Sequence, residues 1–411
     1  MLPVNQAEKI ILDLVKPIAE IETVSLQDAT TRILAEAIAS ELDFPYWDNS
    51  AMDGYAVKFA DVQNCSLARP VKLEIVEEIP AGYLPKVELK SGQTARIFTG
   101  AMLPQGADTI VIQENTQKQG NFVTILASPQ PQEFVRPKGS FYQAGDILLT
   151  PGSQINPPEM AILATAQRTQ LKVFRRPKIA FFSTGDELIT PEETLQPGKI
   201  IDSNQYLLAS FVAQNGGLPL NMGIVPDSKQ ALKDTIEGAL KQADLIISTG
   251  GVSVGDYDYV DGVLTELGGQ IHLQTVAIKP GKPLTVATFV NGCVYFGIPG
   301  NPVSTMVTCW RFVQPTLQKL AGLVHNYQPT FVRGKTRQDL HSGGKRETYL
   351  WGRLHLVNGE YEFELAGGSH SSGNLINLAQ TNGVALIPVG KKLIPAGDDV
   401  KIMQVSKPIC S

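Results

Sequence analysis

The sequence predicts a multidomain α/β plus β fold: a helical N-terminal domain carrying an inserted β domain, a three-layer α/β domain, and a C-terminal β-barrel-like domain. Three observations predict it. At 411 residues the chain exceeds what one ordinary hydrophobic core organises, so two to four domains are expected. In its middle part, apolar runs alternate with helical stretches, the pattern of parallel strands covered on both faces. On both sides of that part lie short alternating strands divided by Gly, Pro and Asn.

Taken in order, apolar residues three and four apart over 5–18 and 25–39 predict two N-terminal helices, the second with Ser25 ahead of Asp28 as a cap signal. Residues 55–135 change to short strands, such as 71–76 and 109–113. Residues 145–169 return to a helical reading, with Pro157 and Pro158 placed where a helix starts. The helical domain is thus discontinuous, 1–46 and 136–176, around an insert at 47–135. Arg175, Arg176 and Pro177 form a linker. Strands at 179–182, 245–247, 284–288 and 294–298, with helices at 203–214, 228–241 and 303–320, make up an α/β domain at 177–324. The remaining 325–411, with Gly343, Gly344, Gly359, Gly367 and Gly368 at turns, form the C-terminal β domain.

A net charge of -5 argues against nucleic acid, whose backbone calls for a basic face. An anionic ligand must therefore be met by local groups. Cys65, Cys293, Cys309 and Cys410 are far apart and form no CxxC pair, which suits a reduced cytoplasmic protein rather than a zinc or disulfide framework. No stretch approaches ~18 uninterrupted apolar residues and the N-terminus lacks a secretion pattern, so no membrane insertion is expected. The five histidines show no metal-binding spacing.

Chemistry concentrates in loops after the predicted strands. The run Thr249, Gly250, Gly251, Val252, Ser253, Val254, Gly255, Asp256 follows an apolar strand, where glycines let backbone N–H groups approach an anion. It is not a nucleotide P-loop, because Asp256 and Tyr257 stand where Lys and Ser/Thr are required. Three further loops obey the same logic: Ser183, Thr184, Gly185, Asp186, Glu187, Leu188; then Lys279, Pro280, Gly281, Lys282, Pro283; then Pro299, Gly300, Asn301, Pro302. Lys279 and Lys282 would neutralise phosphate, whereas Asp186, Glu187, Asp256 and Asp258 call for a divalent cation, naturally magnesium, between themselves and the anion. A second constellation, 48–55 (DNSAMDGY), and the run 96–101 (RIFTGA) place polar groups at turns of the insert.

Together, DNSAMDGYAV, RIFTGAMLPQGAD, FFSTGDEL, STGGVSVGDYDY, IKPGKP and IPGNPVS resemble the molybdopterin molybdenumtransferase (MoeA) family, related to the gephyrin E domain. The resemblance implies insertion of molybdate into adenylylated molybdopterin with release of AMP. It also implies magnesium, a homodimer with its cleft between the α/β domain of one subunit and the insert of the other, and the upstream adenylyltransferase as a candidate partner. By motif it assigns Asp53, Thr99 and Glu187 to catalysis and Asp53, Glu187, Asp256 and Asp258 to magnesium. To the substrate it assigns the glycine and lysine loops above, with Arg136, Asp227, Asp258, Ser304, Arg346 and Ser372. The chain departs from the family pattern at Ser140 and Phe141, where acids are usual, and at Thr348 and Trp351, where an acid and an arginine are usual. The competing readings are a molybdopterin adenylyltransferase and a non-catalytic pterin-binding or scaffold protein.

Overall fold

The chain opens with helix α1, Val4–Leu14, which buries Val4, Ala7, Ile11 and Leu12 at the three-and-four spacing of one helical face. It stops short of Pro17, which disfavours helical geometry at the residue before it. The second expected helix, over 25–39, does not form. The Ser25 hydroxyl accepts the Asp28 N–H at 3.3 Å, but only the single turn Leu26–Asp28 follows. Thr31 then takes a positive φ of 65°, incompatible with propagation. The apolar residues of this stretch are buried from extended chain instead: Ile33 and Leu34 make isolated bridges to Gln154 and Val173, and Ile38 lies in the short strand Ile38–Ala39; the preceding residues form strand β1, Ile21–Ser25.

The computed structural model describes residues 1–251 and 259–410, in two units: 1–36, 151–160 and 170–411, and 37–150 with 161–169. The second unit is built on a six-stranded sheet of β2 (Gly54–Val57), β3 (Val71–Ile79), β4 (Gln93–Ile97), β5 (Thr109–Ile112), β6 (Thr116–Gln119) and β7 (Phe122–Ile125), ordered β5-β2-β4-β3-β7-β6. Helix α2, Pro157–Thr165, starts at the expected proline. Strand β8, Gln170–Phe174, pairs antiparallel with β1.

The larger unit is centred on a second six-stranded sheet. Its elements in chain order are β9 (Lys178–Thr184), α3 (Asn204–Gln214), β10 (Leu218–Val225), α4 (Lys229–Leu240), β11 (Leu245–Thr249), α5 (Val260–Glu266), β12 (Gln270–Thr275), β13 (Pro283–Thr288), β14 (Val294–Ile298) and α6 (Pro302–Thr308). The order is β10-β9-β11-β14-β13-β12. Strands β10, β9, β11 and β14 are parallel, as expected. Strand β13 is not: it runs antiparallel to β14, because the chain reverses in a tight turn closed by Phe289 N–H to Cys293 O at 3.0 Å. A parallel neighbour would need a crossover of about a dozen residues. The edge strands do not stand out as apolar runs because β10 is interrupted by Pro219, Asn221 and Gly223 and β12 alternates with Gln270, His272 and Gln274.

Successive residues of the inner strands face opposite layers. Phe181 and Ile247 join α1, α3 and α6 on one side, while Ala180, Phe182 and Ile246 meet α4 and α5 on the other. Beyond α6 lie β15 (Thr330–Thr336), β16 (Glu347–Val357), β17 (Glu360–Leu365), β18 (Gly383–Ile387) and β19 (Asp399–Gln404). They close into a barrel: β16 pairs with β17 and β18, β17 with β15, β15 with β19, and β19 with β18. Tyr349, Trp351, Val384 and Leu386 of this barrel belong to the same apolar cluster as α1 and the sheet.

One polar group crosses that cluster. Arg311, only 5% exposed, donates to Glu8 at 2.5 and 2.7 Å and to the Tyr349 hydroxyl at 3.1 Å. Burial pushes the Tyr349 phenol well above the usual tyrosine range, so it stays neutral and donates to Glu347 at 2.5 Å. Removing one member of a buried ion pair strands the other, at a cost of about 3–5 kcal/mol. Arg311→Ala is expected to lose stability on that scale in denaturant unfolding; a loss below ~1 kcal/mol would show that the pair is not holding the junction.

Candidate functional site

The parallel strands deliver their loops to one edge of the sheet, where ligands of open α/β sheets collect. There a cavity of ≈ 500 Å³ is lined by Thr184, Glu187, Asn204, Thr249, Gly250, Gly300, Asn301 and Pro302 among others. Behind it, Thr249 Oγ1 donates to Ser183 Oγ at 3.0 Å. Gly250 has φ +87°, and a Cβ there would sit 2.7 Å from the Thr184 carbonyl oxygen, so only glycine lets these two loops close on each other. No hydrogen bond or ion pair engages the Glu187 carboxylate among the described residues, and it stands exposed at the cavity.

A second cavity, of ≈ 550 Å³, lies against the barrel and is lined by Lys279, Pro280, Gly281, Lys282, Ser304, Asp339, Arg346, Trp351 and Ser372 among others. Lys279 is held beside the barrel because its residue pairs with Thr348 in a short parallel bridge; the Lys279–Pro280 peptide is cis. Arg346 donates to the Ile278 carbonyl at 3.2 Å. Among the described residues, none of Lys279, Lys282 and Arg346 has a carboxylate partner, and Asp339 is the one carboxylate in the lining. In a chain of net charge -5, this is a local concentration of positive charge.

The two cavities share a partition made by the N-terminus of α6 and the loop 370–373. Val303 N–H donates to Ser372 O at 3.1 Å, and Asn301 Nδ2 to Ser372 Oγ at 3.3 Å. Asn301 and Pro302 therefore face one cavity, Ser304 and Ser372 the other. The described parts of these loops thus line two adjacent cavities.

Other assigned residues fall elsewhere. Asp227 lines neither cavity; it is latched to the Glu187 loop by Asp186 N–H to Asp227 at 3.4 Å and Asp227 N–H to Asp186 at 3.1 Å. Asp53 and Thr99 meet within the inserted unit, where the Thr99 N–H and hydroxyl both donate to Asp53 Oδ1 at 2.8 Å. These bonds, the backbone one foremost, hold the Asp53 carboxyl below its ordinary range. A side chain at Gly54 would strike the Val111 carbonyl oxygen, so the start of β2, directly after Asp53, needs glycine. Arg136 pairs with Asn49 in the adjoining ribbon. Phe141, 62% exposed, packs on Phe44 with ring centroids 5.6 Å apart. Ser253, Gly255, Asp256 and Asp258 lie outside the described residues. Of the four carboxylates assigned to magnesium, Asp53 and Glu187 thus remain, in different units, and no group of three or more His, Cys, Asp or Glu suited to a metal occurs among the described residues.

Sequence reasoning missed Asn204. It follows Asp202, whose carboxylate accepts the Asn204 N–H at 2.9 Å and the Gln205 side-chain amide at 2.7 Å. Asn204 Nδ2 in turn donates to Gly300 O at 2.7 Å. The polar triplet Asp202, Ser203, Asn204 before a helix was readable only as a cap.

A parallel-sheet domain with an anion-suited loop edge, backed by a barrel, defines a ligand-binding α/β protein, and residues 180–319 match the family described as "Probable molybdopterin binding domain". Residues 2–166 match "MoeA N-terminal region (domain I and II)" and 333–405 match "MoeA C-terminal region (domain IV)". The chain belongs to the MoeA family. It is 55% identical to the molybdopterin molybdenumtransferase of Nostoc sp. (strain PCC 7120), over 98% of this chain and 94% of that protein. The Haemophilus influenzae protein of the same name is 32% identical, with 98% of each chain covered. The crystal structure of the molybdopterin biosynthesis moeA protein from Pyrococcus horikoshii OT3 superposes with a TM-score of 0.85 at 28% identity, covering 98% of this chain and 100% of that one.

The Asp53 geometry yields a test. Thr99→Val keeps the backbone donor and removes the hydroxyl, so the Asp53 pKa is expected to rise toward the ordinary aspartate value in a carboxyl NMR titration; an unchanged titration would show that the hydroxyl bond does not form in solution.

Proposed function

We infer that the chain is a molybdopterin molybdenumtransferase, moving molybdate into adenylylated molybdopterin with release of AMP. The observation that carries this reading is the pair of adjoining cavities, one bearing glycine loops and a carboxylate with no partner among the described residues, the other three cations with no carboxylate partner among those residues. Two substrates of different chemistry, a bulky nucleotide-bearing pterin and a small tetrahedral oxyanion, call for such a pair. The oxyanion is drawn to Lys279, Lys282 and Arg346, with Ser304 and Ser372 as hydroxyl donors. The adenylylated pterin lies against the Thr184, Thr249 and Gly250 side of the partition.

Glu187 suits magnesium, which typically takes one or two protein carboxylates and completes its shell with water and substrate phosphate. When bound, the ion would neutralise charge on the phosphoanhydride. The carboxylate itself orients the water that attacks that bond and accepts its proton. The reading extends to a homodimer in which the Asp53 and Thr99 turn of a second copy completes the site, and to the upstream adenylyltransferase as the supplier of the pterin. A cytoplasmic location fits the free cysteines Cys65, Cys293, Cys309 and Cys410; among the described residues no helix is long and apolar enough to cross a membrane. The adenylyltransferase alternative is not favoured, since family matches run through the flanking domains as well.

Glu187→Gln is expected to slow single-turnover AMP release by roughly 10²-fold, about 3 kcal/mol, with substrate affinity little changed. Release at the wild-type rate would return Glu187 to the role of a loop acid. Light scattering at micromolar protein should give a dimer; a monomer would count against a site completed by a second copy.

A further inference from the structure

Two loops from distant parts of the sequence line the cavity of Glu187: the one that carries this carboxylate, and 300–302, which opens α6. The first is tied to the stretch that follows it, Ile200 N–H donating to Glu187 O at 2.8 Å and Asp202 N–H to Ile189 O at 2.9 Å. Asp202 and Asn204, 3% and 5% exposed, line the same cavity. From there one bond crosses to the second loop, Asn204 Nδ2 donating to Gly300 O at 2.7 Å. Among the described residues no other hydrogen bond joins 185–205 to 299–304.

Helix capping does not account for Asn204. The start of α3 is already capped by Asp202, whose Oδ1 accepts the Asn204 N–H at 2.9 Å and the Gln205 N–H at 3.4 Å. Packing does not account for it either, because its Oδ1 is buried with no partner among the described residues, a cost that an apolar side chain of similar size would avoid. The reverse amide orientation would set Oδ1 against the Gly300 carbonyl oxygen. What the position retains is therefore the donor. We propose that Asn204 is a positioning residue for AMP release, fixing the loop 300–302 relative to the loop of Glu187 through the Gly300 carbonyl. The proposal rests on the reading of this cavity as the adenylylated-pterin side. Gly300 also lies against the glycine loop, since a Cβ on it would stand 3.4 Å from the Gly250 Cα. A shift of Gly300 thus disturbs three loops of one cavity, and a misplacement of ~1 Å slows a reaction by up to about 10²-fold.

The test is single-turnover AMP release by the full-length protein, with calorimetric binding of adenylylated molybdopterin, each variant compared with the wild type at the same pH across the neutral range. Asn204→Ala loses the donor at every pH and should slow release by about 10- to 10²-fold with affinity little changed. Asn204→Asp keeps the shape but donates to Gly300 O only when protonated. Burial, with Asp202 and Glu187 as the carboxylates lining the same cavity, raises the pKa of the new carboxyl. Its rate should therefore approach the wild-type rate as pH falls and drop away as pH rises, a profile that lost packing does not produce. Wild-type rates in both variants, or an Asn204→Asp rate lowered by the same factor at every pH, would overturn the role of Asn204 and leave the reading of the cavity standing. A wild type that released no AMP would overturn both. Where Asn204→Ala fails to fold, the pH profile of the isosteric Asn204→Asp decides.

Discussion

Arg311 ties three parts of the larger unit together: α1 through Glu8, the helical turn Cys309–Val313 that continues α6 and carries it, and the barrel through the Tyr349 hydroxyl. The apolar cluster around it spans the same parts, so the barrel is packed against the α/β core rather than tethered to it. The site depends on this junction. Arg346 immediately precedes β16, which carries Thr348, Tyr349 and Trp351, and the lysine loop comes from the α/β side. Without the junction, Arg346 would not stand at the cavity that Lys279 and Lys282 share. A buried ion pair adds little net stability over a well-packed apolar substitute, but it fixes which strand of the barrel faces the sheet.

The second constraint is the partition between the cavities. Helix α6 starts at Pro302, where the missing N–H costs nothing, and its next N–H is taken up by Ser372 O. A single loop from the barrel thereby seals the helix start and divides the space. Charge is divided with it: the cations lie on one side and Glu187 on the other. Such a separation keeps the carboxylate from neutralising the lysines, which an undivided cleft with all four loops converging would invite.

Much of this was legible in the sequence. The apolar runs that became β9, β11 and β14 are parallel strands buried on both faces, and the loops that follow them line the site, because a glycine-rich turn after such a run has few other uses. The failures have specific causes. The stretch 25–39 has helical spacing but ends at Thr31 in a left-handed conformation, which spacing does not encode. The direction of β13 was set by a short turn, not by its own residues. The division of the loops into two cavities depends on the contact of Ser372 with α6, about 70 residues apart in sequence. Asn204 was hidden for a related reason: its significance lies in a partner, the Gly300 carbonyl, that is near it only in three dimensions.

The central claim is that the cations of Lys279, Lys282 and Arg346 form the oxyanion site, separate from the cavity of Glu187. Crystals of the protein soaked in molybdate, with anomalous diffraction recorded at the molybdenum edge, test it most directly. The account predicts a single strong molybdenum peak in the cavity lined by Lys279, Lys282, Arg346 and Trp351. A peak against Glu187 and Gly250, with the basic cavity empty, would contradict it.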